Sequence, residues 1–210
     1  MKRLLYLFFI IVLTGCVTPI PTTKSMNDFV MMSLKTNPNA QVNFQFSSVP
    51  TDGEIKVYQE NRTSNSQTYN HTIPSTVKNM LSDFMSYRFS TSAPDAINLS
   101  ITLKDIEITF RPLDSGGKQV AVALFGGELS YNYTTKLVFD LALVVDGKDL
   151  SRSFAVSSED TQIQGVGTGT ATSSYYRGKD SVQSMIGRSI DQTNNKFLML
   201  LNNYLLENNL

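Results

Sequence analysis

The chain has 210 residues, with 18 Lys and Arg against 18 Asp and Glu and a single His. This balance gives no basic footprint for nucleic acid, and a single Cys rules out a disulfide within the chain. Twelve Phe and nine Tyr supply core material without any Trp, and the length suits one main domain.

The N-terminus has three parts. Lys2 and Arg3 form a short positive region, and Leu4 to Leu13 is an unbroken apolar run. That run falls short of the roughly 20 apolar residues a bilayer core requires, and it has the length and flanks of a signal-peptide h-region. It ends in Leu13-Thr14-Gly15-Cys16. This resembles the lipobox of bacterial lipoprotein signals: an aliphatic residue, two small residues, then a cysteine whose thiol accepts diacylglycerol. The resemblance implies a signal peptide over residues 1–15, cleavage before Cys16, and lipidation of Cys16. Lipidation also consumes a thiol that would otherwise sit free in an oxidising compartment. Several acyl chains together anchor stably where one anchors only marginally. Cleavage leaves 195 residues with 16 basic and 18 acidic side chains, a net charge of −2. Val17 stands where an Asp would resemble an inner-membrane retention signal, so the resemblance implies export to the outer membrane, facing the periplasm.

Residues 16–40 read as the lipidated N-terminus and a tether, rich in Pro, Ser and Thr at its start. Residues 41–210 read as a single α+β domain. Val42, Phe44 and Phe46 alternate with polar residues as a half-buried strand. Thr51-Asp52-Gly53 is turn chemistry, and Ile55 and Val57 begin a second strand. The polar stretch 59–72, which holds His71, is expected to be a loop. A helix is predicted from Pro74-Ser75, with Val77, Met80, Leu81, Phe84 and Arg88 on one face, ending at Ala93-Pro94-Asp95. Ile97, Leu99, Ile101 and Leu103 alternate, then Ile106, Ile108 and Phe110 continue one residue out of phase, as a β-bulge at Lys104-Asp105 requires. Val120, Val122 and Leu124 are expected to form a further strand.

Leu129 to Val145 then places an apolar or aromatic residue, or Thr135, at every second position. Asp146-Gly147 reads as a two-residue turn of the primed type, with Leu150, Phe154 and Val156 returning along the partner strand. After a Gly-rich stretch at 165–174, Asp180 and Gln183 fit a helix N-cap and its N3 partner. Val182, Met185, Ile186, Ile190, Phe197, Leu201 and Tyr204 line one face of that last helix. The expected fold is therefore an antiparallel sheet of about five to six strands with two amphipathic helices packed on one face.

The lipobox, the helix VKNMLSDFMSYRF, the strand INLSITLKDIEI, the hairpin YNYTTKLVFDLALVVDGKDLSRSFAVS and the final helix together resemble the YajG-type bacterial lipoproteins over roughly residues 40–200. The layout is also similar, more loosely, to the auxiliary lipoproteins of envelope lipid-transport systems. Arg111–Glu128 and Gly165–Ser174 depart from the YajG-type pattern. The resemblance implies an outer-membrane lipoprotein without catalysis.

No motif in the chain carries chemistry. His71 has no metal-binding or catalytic neighbours in sequence, and no G-x-S-x-G elbow is present. Gly165-Val-Gly-Thr-Gly169 lacks the Gly-Lys-Ser/Thr ending of a phosphate loop. No cofactor or metal is expected. The candidate sites are surfaces: a sheet face with Tyr131, Tyr133 and Lys136, and Leu198 and Leu205, which lie about 100° beyond the inward stripe of the last helix. The expected function is non-enzymatic binding of an envelope protein partner. The alternative is a carrier holding a lipid or other apolar ligand between sheet and helices.

Overall fold

The computed structural model describes Ile20 and residues 37–90, 96–166 and 171–210, with the side chains of 37–40, 62–65, 90, 123 and 162–182 left aside. Cys16, Val182 and the expected helix end at Ala93-Pro94-Asp95 lie outside these described parts.

The longest element is β6 (Gly127–Val145), which turns at Asp146-Gly147 and returns as β7 (Lys148–Asp149) and β8 (Arg152–Val166). Both turn residues have positive φ, 50° and 76°, the geometry a primed two-residue turn demands and Gly147 accepts without strain. From Val145↔Lys148 down to Gly127↔Val166 the register never slips. On its other edge β6 pairs antiparallel with β5 (Ile97–Pro112). There Leu103 faces Phe139 while Asp105 faces Val138, so Lys104 is the extra residue of the expected bulge. The bulge lets Leu99, Ile101 and Leu103 before it and Ile108 and Phe110 after it all point into the core.

The free side of β5 is shared. β1 (Asn37–Ser48) runs parallel to its first half and β2 (Gly53–Gln59) parallel to its second half. The sheet is thus mostly antiparallel but mixed, because β1 and β2 both reach β5 in the same direction. β3 (Arg62–His71) pairs antiparallel with β2, and β4 (Phe89–Ser90) pairs parallel with β1. In all, the sheet has eight strands, six of them longer than two residues.

Helix α1 (Ile73–Arg88) lies on β1, and α3 (Ala171–Glu207) lies on β6 and β8 and touches α1. One continuous core fills the space between the helices and the sheet. At its centre Phe197 of α3 stacks on Phe139 of β6, ring centroids 3.7 Å apart, and meets the edge of Phe154 of β8 at 5.8 Å. The α+β class and the helices on one face are as the sequence indicates.

Four local readings are corrected. The stretch 59–72 is mostly strand β3, an edge strand whose Tyr69 and His71 are buried among polar neighbours. α1 stops at Arg88, where the chain turns extended to pair with β1. Val120, Val122 and Leu124 belong to a third helix, α2 (Gly116–Phe125), because Ser115 caps its start and Gly126, with φ 78°, ends it. α3 begins at Ala171, so Asp180 lies inside the helix and not at its start. Apart from these, within the expected tether, Ile20 is buried and its N–H donates to Asn70 O at 2.8 Å, because β3 leaves an edge free to be paired.

Candidate functional site

Tyr131, Tyr133 and Lys136 do not form one surface. Lys136 is on the exposed face of β6, where it meets Glu107 at 3.4 Å. Tyr133 is buried at 4% exposure and Tyr131 is half-buried, since odd positions of β6 face the core. Tyr133 stacks on Phe110 at 5.9 Å, and burial pushes its hydroxyl pKa well up, helped by neighbouring Tyr69 and Tyr131. The same burial, with Asp114 adding to it, raises that of Tyr131.

The outer face of the sheet is instead a field of polar cross-strand pairs. Asn132 donates to Glu159 at 2.7 Å, Ser153 to Asp140 at 2.6 Å, and Ser47 and Thr102 share a hydrogen bond of 2.8 Å. The Ser153–Asp140 and Ser47–Thr102 pairs are exposed and each contributes little, whereas Asn132 is itself buried.

Leu198 and Leu205 are fully buried and present no partner surface. α1 explains this. It lies beside α3, so the face running through Leu198, Asn202 and Leu205 is covered as completely as the face on the sheet. Arg88 of α1 joins the two helices: its guanidinium donates to Asn202 Oδ1 and to the main-chain oxygen of Leu210, and lies 5.2 Å from the Phe89 ring. Only 1% of Arg88 is exposed, and burial lowers its pKa. It acts as a structural tie between helix ends. Among the described residues of α3, the exposed large apolar side chains are Met199 and Leu200.

His71 is buried at the end of β3, where its Nδ1 accepts from the Ile73 N–H at 3.3 Å and so completes the first turn of α1. That bond requires a neutral ring. Burial lowers the His71 pKa and the Asp52 carboxylate partly opposes this. With a folded pKa below the unfolded value of about 6.5, the unfolded chain takes up the proton first as pH falls. Stability from this group is full above that value and declines as pH drops through it. Urea midpoints taken at about pH 7.5 and about pH 5.5 are expected to fall for the wild type and to fall less for His71→Gln, whose side chain still offers an acceptor. Equal slopes for the two proteins would remove His71 from the pH response.

A second apolar feature sits where the sequence suggested a strand. α2 bridges β5 and β6 at the end of the sheet opposite the Asp146-Gly147 turn. Asp114 clamps its start: one carboxylate oxygen accepts from Lys118 Nζ at 2.7 Å and the other from the Ser130 N–H, which together hold its pKa low. Val122 faces inward, so close to Gly127 that a Cβ there would stand 3.2 Å from Val122 Cγ2. The outward residues are Val120, Leu124 and Phe125, at 61%, 68% and 79% exposure, with Leu113 exposed just before the helix. Of the ten exposed large apolar residues among those described, these are four. Ser115 and Gly126 were the sequence signals of this helix.

Among the described residues no group of three or more His, Cys, Asp or Glu could hold a metal ion, and no helix is long and apolar enough to cross a membrane. No family model and no curated protein matches the chain. Among solved structures it is similar to a Xanthomonas campestris protein of the DUF330 family, at 13% identity and a TM-score of 0.48 over 92% of this chain and 98% of that one. It is also similar to the rare lipoprotein B of Shewanella oneidensis, at 13% identity and a TM-score of 0.39 over 78% of this chain and 97% of that one. A minor lipoprotein of Acinetobacter baumannii matches at 9% identity and a TM-score of 0.38 over 77% and 93%.

Proposed function

We propose that the chain is a lipid-anchored, non-enzymatic lipoprotein of the outer membrane, facing the periplasm, that binds an envelope protein. The observation that carries the anchor is the basic pair, the short apolar run and Leu13-Thr14-Gly15-Cys16 at the only cysteine. The resemblance to the YajG-type layout supports the rest. A carrier with its ligand between sheet and helices is the weaker reading. The described sheet–helix interface is filled by side chains in direct contact, Phe139 on Phe197 above all.

The test is metabolic labelling with a palmitate analogue, combined with crosslinking and pull-down from intact envelopes. Wild type is expected to incorporate the label and to yield one reproducible protein adduct. Cys16→Ser is expected to lose the label entirely and to remain unprocessed. Equal label on the Cys16→Ser protein would overturn the anchor, and labelled wild type without any adduct would overturn the partner.

A further inference from the structure

We infer that the α2 end of the domain rests on the bilayer surface, with Val120, Leu124 and Phe125 in the lipid headgroup–acyl boundary. This rests on the reading of Cys16 as the lipidated residue. Three observations lead to it.

The first is the length of the leash. Ile20 is fixed to β3 by its hydrogen bond to Asn70 and by burial. Only three residues lie between Cys16 and Ile20, and the four steps across them reach at most about 14 Å. The sheet is far longer than this: the 19 residues of β6 extend about 60 Å. A domain held so closely cannot stand clear of the membrane, and part of its surface must meet headgroups.

The second is where the leash is fixed. Asn70 pairs with Glu54 on β2, and β2 runs from there toward Tyr58 and Gln59, which pair with Thr109 and Phe110 near the end of β5. α2 follows directly on that end of β5. Glu54 and Asn70 lie four residues short of the Tyr58↔Thr109 pair, level with the middle of β5, so the short leash lets either end of the sheet tip onto the bilayer and the chemistry of the ends decides between them.

The third is the chemistry of the two ends. The outward residues of α2 cover about 140° of its circumference at 100° per residue, and Phe125 is the most exposed large apolar residue described. The helix is only ten residues long and is gripped at its base by Asp114 and Val122. It therefore presents these side chains as a rigid wedge. An apolar helix face of this kind enters the headgroup–acyl boundary to a depth of about 5–10 Å. Among the described residues at the other end, the exposed large apolar side chains are Val144 and, at the end of α1, Tyr87, with the charged Asp146, Lys148 and Asp149 beside Val144.

The absence of Trp makes a direct test possible. Phe125→Trp and Val144→Trp each introduce one fluorophore, at opposite ends of the sheet. Each full-length variant is purified in lipidated form and reconstituted into vesicles of phosphatidylethanolamine and phosphatidylglycerol whose acyl chains carry bromine. Phe125→Trp is expected to show blue-shifted emission and to lose roughly half of it to bromine quenching, because the ring lies within reach of the chains. Val144→Trp is expected to keep its emission. A Val120→Asn change added to Phe125→Trp should reduce the quenching while leaving the far-UV circular dichroism unchanged. Flotation with the vesicles separates the two readings. Protein that floats while Phe125→Trp stays unquenched overturns the inference and leaves the anchor standing, with α2 then free to meet a protein. Quenching confined to Val144→Trp overturns it also, by placing the opposite end on the membrane. Protein that carries no acyl chain and does not float overturns both.

Discussion

Deleting Val138 is expected to unfold the domain, whereas deleting Lys104 leaves it folded. The two residues lie next to each other across the β5–β6 pair, since Lys104 precedes Asp105, the partner of Val138. Lys104 is the extra residue of a bulge, and both it and Asp105 point outward. Without Lys104, Leu103↔Phe139 is followed directly by Asp105↔Val138. Every inward residue of β5 stays inward and only the local twist is lost. β6 has no such slack. Its register with β8 is continuous, and Leu129, Tyr133, Thr135, Leu137, Phe139, Leu141 and Leu143 are buried on one face. Removing Val138 turns Phe139, Leu141 and Leu143 to solvent, or else all the residues before them. Three side chains at roughly 1.5–3 kcal/mol each amount to about 5–9 kcal/mol, which is comparable to the whole stability of a domain. Circular dichroism and urea titration of the two deletion variants would check this. A cooperative transition in the Val138 deletion, near that of wild type, would show that β6 can absorb a slip.

The second large effect is expected at Phe197. Its ring is fully buried, lies face to face with Phe139 and meets the edge of Phe154. Phe197→Ala should cost about 3–5 kcal/mol, because the two remaining rings are held by separate strands and cannot close the space. In thermal melts this corresponds to a Tm lower by about 10 °C for a domain of this size. Leu198→Gln with Leu205→Gln belongs to the same class, as both side chains are buried between α3 and α1. A loss under about 1 kcal/mol at Phe197 would mean that the core there is loosely packed.

These cases also show what could be read from the sequence. The alternation of β6 is long and strict, so its inward face, its turn and its partner strand follow directly from pattern. The bulge was legible because the alternation slips by one residue at Lys104-Asp105 and then resumes. α2 was misread because Val-Ala-Val-Ala-Leu fits both periods: alanine is small enough to pass as the wet face of a strand. The punctuation around it, Ser115 before and Gly126-Gly127 after, favours a ten-residue helix. β3 was misread for the opposite reason. An edge strand needs few apolar residues, and among its described side chains Tyr69 and His71 are the buried ones. For the candidate surfaces, the period of α3 shows which residues could face a second neighbour but not that the neighbour is α1. That depends on packing between segments about 110 residues apart, as the bond from Arg88 to Asn202 records, with a separation of 114. Arg88 fell on the inward stripe of α1, yet nothing local shows that a buried cation would find Asn202 and Leu210 as partners.

The mixed pairing along β5 sets an order of events as the chain folds. β6 and β8 meet through a turn whose pairing begins at residues 145 and 148, so the search for that contact is short. β1 pairs with a strand 55 residues further along the chain. Loop-closure entropy makes that second meeting costlier by about 2–3 kcal/mol, which only the burial of apolar side chains can offset. The hairpin and the helix covering it thus form the nucleus, and β1, which lies 55 residues before its partner, docks late. A strand synthesised before β5 is then placed only after it, and its unpaired edge must be kept from other chains until β5 has emerged and closed on it.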